Sequence, residues 1–211
     1  MPTSTAISAQ GTALSIEGTP GSAITITAIT KATSAVVTGT NTLAVGDVVE
    51  FGTVTNMPEI FGLLGIVTVA SGSGFTVNID SSGFATAGTS GSANPKTWTA
   101  INNVKDYQGF DGSTSELDKT NMQSGAMEYA AGLQDFGQMS LTVDVDNTDA
   151  GQTALRTSKT AGSTKAYKMV LPNGKIRTFK AFVKKFSESG GVNQIVKASV
   201  DLRITGVVVF G

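Results

Sequence analysis

The chain has 211 residues, no cysteine and no histidine, and a formal net charge of −1. The missing residue types exclude disulfides, thiolate chemistry, histidine-dependent catalytic triads and the usual zinc sites. A net charge near zero provides no general attraction for nucleic acid. Only 15% of the residues are charged, whereas Gly, Ser and Thr are abundant. This composition is typical of a β-rich protein with many turns, and a surface rich in hydroxyl groups suits burial between subunits.

Neither a targeting signal nor a membrane span is evident. Residues 1–14 lack a basic stretch followed by an apolar run, so we expect no signal peptide. The longest nearly apolar stretch, residues 60–67, is far shorter than the roughly 20 residues that a membrane helix needs. We expect a soluble protein made in the cytoplasm, without contact with a membrane.

Residues 22–94 differ from the rest of the chain. This region has only five charged residues and is bounded by stretches rich in Gly, Ser, Thr and Pro. Short strands are predicted at residues 35–38, 47–51, 65–70 and 75–79, with a turn at residues 71–74. We interpret residues 22–94 as a small all-β module inserted into a larger domain made of residues 1–21 and 95–211. The alternative is that they are further strands of one large sandwich.

Residues 108–124 are polar and rich in glycine, and apolar and polar residues do not alternate there. The sequence therefore predicts a long loop. Loops longer than about 12–15 residues are usually functional or mobile.

Beyond this loop, the sequence predicts long antiparallel strands and one helix. Apolar residues alternate with polar ones from Met139 to Val145, and again from Val196 to Ile204. Hairpin turns are predicted at residues 172–174 and 189–191. A helix is predicted from residue 150 to about residue 160, with Asp149 as the N-cap, Gln152 completing a capping box and Gly162 at the end.

Carboxylates are the remaining candidates for chemistry. Asp144 and Asp146 are two residues apart on a predicted strand, and Asp149 follows, which could suggest a glycosidase pair or a calcium loop. The glycine and the final glutamate of an EF-hand loop are absent, however, and no phosphate-binding loop is present. A solvated strand face followed by a helix cap explains these residues better. We therefore expect no enzyme activity, no cofactor and no metal site.

Charge is distributed unevenly along the chain. Residues 106–149 are mainly acidic, and residues 165–185 contain seven basic residues and no acidic one. The two segments could balance each other within one chain. Alternatively, the acidic segment of one copy could meet the basic hairpin of the next, and such head-to-tail contacts build rings or helical tubes. DNA binding by the basic hairpin is less favoured, because few aromatic side chains suited to base stacking accompany the lysines.

Several segments resemble the tail tube proteins of long-tailed bacteriophages. The similarity covers roughly residues 3–21 and 95–211. It lies in the order and spacing of residues 6–12 (AISAQGT), 101–104 (INNV), 109–125, 129–137 (YAAGLQDFG) and 152–155 (QTAL), followed by the LPNG hairpin at 171–174 and the final strand.

The intervening region resembles a second module. Residues 26–32 (ITAITKA), 45–49 (VGDVV) and 75–77 (FTV), together with Met57, are similar to a small β domain found in phage tail proteins. That domain is named after half of the catalytic-cysteine region of ubiquitin-activating enzymes. No cysteine is present here, so no such activity is implied. Residues 39–43 also lack the histidine-glycine turn that is common in the module.

The resemblance implies a mainly β fold, namely a β-sandwich of two antiparallel sheets with one short flanking helix. It also implies hexameric rings of this chain, stacked into a hollow tube around a tape-measure protein. Genomic DNA would pass through the tube, and a tail terminator and distal tail proteins would bind its ends. The protein would belong to the virion after assembly in the host cytoplasm. The alternatives are another tube-like protein, such as a tail terminator or secretion-tube subunit, and a carbohydrate-binding or adhesive β module.

Three sets of surface residues follow as candidates. The predicted loop would reach an adjacent ring through Gln108, Asp111, Glu116, Asp118 and Lys119. The basic hairpin would form a subunit interface through Lys175, Arg177, Lys180, Lys184 and Lys185. The lumen would be lined by Asp144, Asp146, Ser199 and Asp201, because a conduit for DNA should be polar without strongly attracting phosphate.

Overall fold

The computed structural model describes residues 6–211, so the first five residues of the predicted segment 1–21 lie outside the described part. The fold is mainly β with antiparallel sheets, and α1 (Ala150–Ala161) is the α-helix of the described residues. The predicted fold class is confirmed. The strands are β1 (Ala13–Glu17), β2 (Ile24–Ile26), β3 (Ala28–Ile29), β4 (Val36–Thr38), β5 (Val48–Thr55), β6 (Leu64–Ser71), β7 (Gly74–Val77), β8 (Ser90–Pro95), β9 (Trp98–Ile101), β10 (Val104–Gly109), β11 (Thr114–Asp118), β12 (Tyr129–Gln134), β13 (Gln138–Asp144), β14 (Thr164–Val170), β15 (Ile176–Ser189) and β16 (Lys197–Phe210).

The strands form two large sheets and a small one. The first sheet has seven strands in the order β10-β13-β16-β15-β14-β1-β9. The second sheet also has seven strands, in the order β2-β8-β5-β6-β7-β4-β3. Strands β11 and β12 pair only with each other, and we call them the β11–β12 ribbon. All strands of the second sheet come from residues 24–95.

The chain forms two compact units. Unit 1 contains the described residues up to Ala100 together with Ala166–Thr178 and Val209–Gly211. Unit 2 contains Ile101–Lys165 and Phe179–Val208.

Unit 2 shows the alternation that the sequence predicts. Strand β13 pairs with β16 so that Leu141 lies opposite Val200 and Thr142 opposite Ser199. Residues Met139, Leu141 and Val143 of β13 are buried, as are Ala198, Val200, Leu202 and Ile204 of β16. Val145 and Val196, which the sequence pattern places in these strands, lie just beyond their ends.

Helix α1 of unit 2 begins and ends where the sequence predicts. The Asp149 carboxylate accepts a hydrogen bond from the Gln152 backbone N–H at 2.7 Å, and Gly162 ends the helix with a φ of 61°. Leu155 is fully buried. The predicted capping box forms only in part, because the Gln152 side chain does not reach back to Asp149. It donates instead to the carbonyl of Asp144 at 2.9 Å and accepts from the Asp146 N–H.

The second sheet, in unit 1, closes on itself. Only Thr27 separates β2, which pairs with β8, from β3, which pairs with β4. The backbone groups of Ile29 and Gly88 also bond to each other in both directions. The result is a small barrel that encloses apolar side chains including Ile26, Phe51 and Val77. A closed sheet has no unpaired edge.

A second apolar cluster of unit 1 joins this barrel to strands outside residues 22–94. Val48, Leu64 and Ile66 of the barrel pack with Ala166, and Trp98, Ile176 and Val209 cover the cluster. Burial of these side chains stabilises the arrangement by roughly 25 cal/mol per Å² of apolar surface. The barrel therefore shares part of its packing with the rest of unit 1.

Two connections differ from the sequence prediction. Residues 108–124 are not one long loop, because they include the end of β10 and all of β11, which pairs with β12. The turn predicted at residues 189–191 is longer, because β15 ends at Ser189 and β16 begins only at Lys197. Neither segment alternates between apolar and polar residues in the sequence, so no pattern marks where the strands begin or end.

Candidate assembly surfaces

The β11–β12 ribbon is exposed on both faces. Every residue of β11 is exposed, and β12 has no buried residue. The pairing places Glu116 opposite Ala131 and Asp118 opposite Tyr129. A two-stranded ribbon is at most marginally stable alone in water, because it has no core of its own. The ribbon is therefore an element of unit 2 that a partner surface would stabilise.

The ribbon also carries exposed apolar side chains that sequence reasoning did not select. The exposed fractions are 55% for Leu117, 104% for Met122, 70% for Met127, 54% for Tyr129 and 88% for Leu133. Met122 and Met127 lie in the turn between the two strands. The signal available in the sequence was the presence of these apolar residues within an otherwise polar segment.

The base of the ribbon is held by two carboxylates. Asp111 accepts a hydrogen bond from the Gln138 N–H at 2.8 Å, and Asp135 accepts one from the Gly137 N–H at 2.9 Å. Asp135 also contacts the Arg203 guanidinium at 2.6 Å. These bonds, the Gly137 N–H first and Arg203 second, hold the pKa of Asp135 below its ordinary value. The ribbon thus leaves the sheet at a fixed point.

A glycine is required at this point. A Cβ atom on Gly112 would lie 1.8 Å from the carbonyl oxygen of Asp135, which leaves no space for any side chain. Gly137, with a φ of 73°, adopts the left-handed conformation that favours glycine.

The five predicted loop residues do not form one patch. Gln108 lies on β10, and Asp111 supports the ribbon base, whereas Glu116 and Asp118 lie on the ribbon and Lys119 follows it. Hydrogen bonds from the Thr120 side chain and backbone lower the pKa of Asp118. Only the last three of these residues are presented by the ribbon itself.

The predicted basic hairpin is spread over both faces of its strand. Lys175 lies in the turn before β15, and the Arg177 guanidinium lies 5.5 Å from the centre of the Phe210 ring. Lys180 is half-buried, whereas Lys184 and Lys185 are exposed neighbours and therefore point to opposite faces. These basic residues do not form a single continuous patch.

Three of the four predicted lumen residues belong to one polar pair of strands. Asp144, Ser199 and Asp201 lie on the half-exposed face of β13 and β16, where the Ser140 hydroxyl donates to Asp201 at 2.7 Å. Lys105 contacts Asp144 at 2.9 Å. Asp146 does not belong to this face, because it follows the end of β13 and accepts hydrogen bonds from Thr148, which lower its pKa.

An ion cluster in unit 1 was not found from the sequence. The Lys96 ammonium lies 2.6 Å from the Glu17 carboxylate and 2.5 Å from the Glu50 carboxylate, and its side chain is only 7% exposed. The Ala166 N–H donates to the other oxygen of Glu17 at 3.0 Å. Burial acts to lower the pKa of Lys96, but the bonds to both carboxylates outweigh it and the pKa is raised. The three charges are far apart in the sequence, which hides their proximity.

No group of three or more acidic side chains within residues 6–211 is placed so that it could hold a metal ion. No helix of the described part is long and apolar enough to cross a membrane.

Antiparallel sheets, together with a two-stranded ribbon exposed on both faces, place the chain in the class of mainly β proteins. The particular family follows from comparison with known sequences. The profile of the family described as "Lambda phage tail tube protein, TTP" matches residues 84–210, which is more than half of the chain. The chain therefore belongs to the Lambda phage tail tube protein family and is a phage tail tube subunit.

A solved structure is also similar to this chain. Its title is "Tail of empty GTA particle computed with helical refinement, C6 symmetry". The identity is 16%, the match covers 54% of this chain and 86% of that chain, and the TM-score is 0.47. No curated protein matches the chain significantly.

Proposed function

We propose that six copies of this chain form a ring and that the rings stack into the hollow tube of a phage tail. The tube conducts the genome during ejection and acts by its shape rather than by catalysis. Its assembly takes place in the host cytoplasm around a tape-measure protein, with a tail terminator and distal tail proteins at its ends. Membership of the tail tube family supports this proposal, and a solved tail described with C6 symmetry agrees with the number six.

The observation that carries the proposal is the β11–β12 ribbon, which is exposed on both faces and contains large apolar side chains. A surface of this kind on one subunit is expected to be covered in an assembly. Glu116, Asp118 and Lys119 are the predicted inter-ring residues that the ribbon presents. In this proposal the ribbon crosses from one ring to the next.

The open edges of the first sheet and the exposed charged side chains provide the contacts between copies within a ring. Strands β10 and β9 are the terminal strands of the first sheet, and pairing between copies would satisfy their open backbone groups. The exposed Lys184 and Lys185 offer partners for carboxylates of a neighbouring copy. Asp135 and Asp144 of the acidic segment are already paired within the chain, with Arg203 and Lys105. Charge complementarity between copies therefore rests mainly on the charged residues of the ribbon and on the exposed part of the Asp135–Arg203 pair.

We place the barrel module of residues 22–94 on the outside of the tube, apart from a tube domain made of residues 1–21 and 95–211. The Gly21 N–H donates to the Pro95 carbonyl at 3.1 Å, so the chain enters and leaves the module at adjacent points. The match to the tail tube family begins only at residue 84 and so leaves out most of the module. Both observations support an addition to the tube fold.

The test compares the purified chain with a variant that lacks the ribbon. Because the Asp135 N–H donates to the Ser113 carbonyl at 2.9 Å, a short Gly-Ser turn can replace residues 114–134. Negative-stain microscopy should show rings and tubes for the unmodified chain, and only free rings or monomers for the variant. Cooperative thermal unfolding of the variant is the control for folding.

Two results would contradict the proposal. Tubes formed equally well without the ribbon would rule out its role in stacking. A chain that stays monomeric at high concentration, and is missing from the tails of purified virions, would rule out the function as a whole.

A further inference from the structure

The turn of the ribbon, residues 119–128, is held by hydrogen bonds and exposes two methionines. The Lys119 N–H donates to the Glu128 carbonyl at 2.8 Å, and the Glu128 N–H donates to the Thr120 hydroxyl at 3.0 Å. These bonds satisfy polar groups of the turn locally. The side chains of Met122 and Met127 nevertheless remain 104% and 70% exposed. We call this turn the ribbon tip.

The methionines within residues 6–211 fall into two groups. Met57, Met139 and Met169 are fully buried, as expected for large apolar side chains. Methionine is flexible and polarisable, and it is frequently used at adaptable binding surfaces. An ordered turn that exposes two methionines is therefore suited to insertion into an apolar depression.

Unit 2 contains a depression with apolar walls at the opposite end of the ribbon. Phe136, Ile204 and Val207 provide its apolar walls, Gln134, Asp135 and Gly206 complete it, and its volume is about 340 Å³. The outward residues of β16 before this point are polar, from Ser199 to Thr205. After Gly206, which has a φ of 76°, Val207 is apolar and 59% exposed. We call this depression the base pocket.

A ribbon tip cannot reach the base pocket of its own chain. The base pocket begins at Gln134, which is the last residue of β12. The tip ends just before Tyr129, which is the first residue of β12. At roughly 3.4 Å per residue, the strand separates the two by about 17 Å. Only the base pocket of another copy is available to the tip.

The charges beside the two surfaces are complementary. The tip has Lys119 and Glu128 at its two ends, and the base pocket is bordered by Asp135 with its partner Arg203. Lys119 of one copy can approach Asp135 of the next copy, while Glu128 approaches Arg203. Such a polar rim around an apolar centre is the usual composition of a protein interface.

We propose that the ribbon tip of one copy inserts Met122 and Met127 into the base pocket formed by Phe136, Ile204 and Val207 of the next copy. The inference rests on the proposed function and identifies the surface that receives the ribbon. Two different surfaces are joined, so the contact is head-to-tail and repeats without limit along the tube.

The lack of cysteine allows a direct test by crosslinking. Met122→Cys and Val207→Cys are introduced together in one chain, and each is also made separately. Assembled samples are treated with a short bismaleimide and separated on denaturing gels. The double variant should give a ladder of covalent polymers. Tubes assembled from a mixture of the two single variants should give a crosslinked dimer and nothing larger.

The matched control replaces Val207→Cys by Ser187→Cys, since Ser187 is exposed and lies outside both surfaces. Crosslinking of the proposed pair should exceed the control at least tenfold, and Val207→Glu should prevent stacking while thermal unfolding stays cooperative. Normal tubes whose crosslinking equals the control overturn this inference and leave the proposed function intact. An unmodified chain that stays monomeric at high concentration, and is missing from the tails of purified virions, overturns both.

Discussion

Lys96 shows how a single side chain can connect distant parts of unit 1. Its ammonium contacts Glu17 of β1 and Glu50 of β5, and Glu17 in turn accepts a hydrogen bond from the Ala166 N–H of β14. The side chains of Glu17 and Glu50 are only 12% and 24% exposed. Removing one member of a buried ion cluster is costly, because the remaining charges keep little solvent.

We predict that Lys96→Met lowers the free energy of unfolding at pH 7 by about 3–5 kcal/mol. Urea denaturation measures the loss, and Lys119→Met on the exposed ribbon is the control, with an expected change below about 0.5 kcal/mol. The triple variant Glu17→Gln, Glu50→Gln, Lys96→Met should recover most of the loss because it leaves no charge unpaired. A loss no larger than that of the control would contradict the role assigned to Lys96.

The same cluster makes the free energy of unfolding fall as the pH rises in the alkaline range. The pKa of Lys96 is raised in the folded protein, so the folded state holds this proton more tightly than the unfolded state does. The contribution to stability is complete below the unfolded pKa of about 10.4 and disappears as the pH rises through the folded pKa. The melting temperature of the unmodified chain should therefore fall above this pH more steeply than that of Lys96→Met.

At the scale of elements, the barrel of residues 22–94 combines adjacent ends with a shared apolar cluster. The bond between the Gly21 N–H and the Pro95 carbonyl means that a two-residue turn can replace the barrel. Its removal would, however, expose side chains of the shared cluster such as Ile176 and Val209, and would leave Lys96 without Glu50. The barrel can be removed from the chain without leaving a gap, but its removal destabilises the rest of unit 1.

We predict that deleting residues 22–94 alone gives a chain that aggregates, because apolar side chains become exposed to water. The same deletion combined with Ile176→Thr and Val209→Thr should unfold cooperatively and form tubes. Light scattering, circular dichroism melting and negative-stain microscopy provide the measurements. A combined variant that folds but never forms tubes would contradict the exterior position proposed for the barrel.

Helix α1 and the ribbon show which elements a sequence pattern can predict. The helix was predictable because its cap, its buried Leu155 and its terminal Gly162 are local signals within a dozen residues. The sequence predicts a loop at residues 108–124, which contain β11 of the ribbon. Both faces of β11 are exposed, so no alternation of apolar and polar residues marks this strand. The Lys96 cluster and the base pocket depend on residues far apart in sequence, which no local pattern can bring together.

At the scale of the whole molecule, the proposed tube requires one sheet face to meet the genome. The candidate face of β13 and β16 carries Asp144, Asp201 and Ser199 together with basic neighbours such as Lys197 and Arg203. Such a mixture limits both attraction and repulsion of phosphate. In the proposed tube, DNA would then move past this wall without being held.

We predict that a cysteine placed on this face becomes shielded when the tube forms. Ser199→Cys should react with a maleimide carried on a folded protein in the free subunit, and at least tenfold more slowly in tubes, because the carrier is too wide for the bore. Ser34→Cys on the exposed surface of the barrel is the control and should react equally in both states. Equal reactivity of the Ser199→Cys variant in subunit and tube, or a strongly positive bore potential, would contradict the lumen assignment.

The closure of the barrel sheet through Thr27, Ile29 and Gly88 has a consequence for the finished particle. A phage tail repeats each subunit many times, so any adhesive feature on its outer surface would be multiplied along the whole fibre. In the exterior position proposed for it, a barrel that has completed its own backbone pairing would offer no open strand to a neighbouring tail. We therefore expect newly released virions to disperse singly instead of bundling side by side.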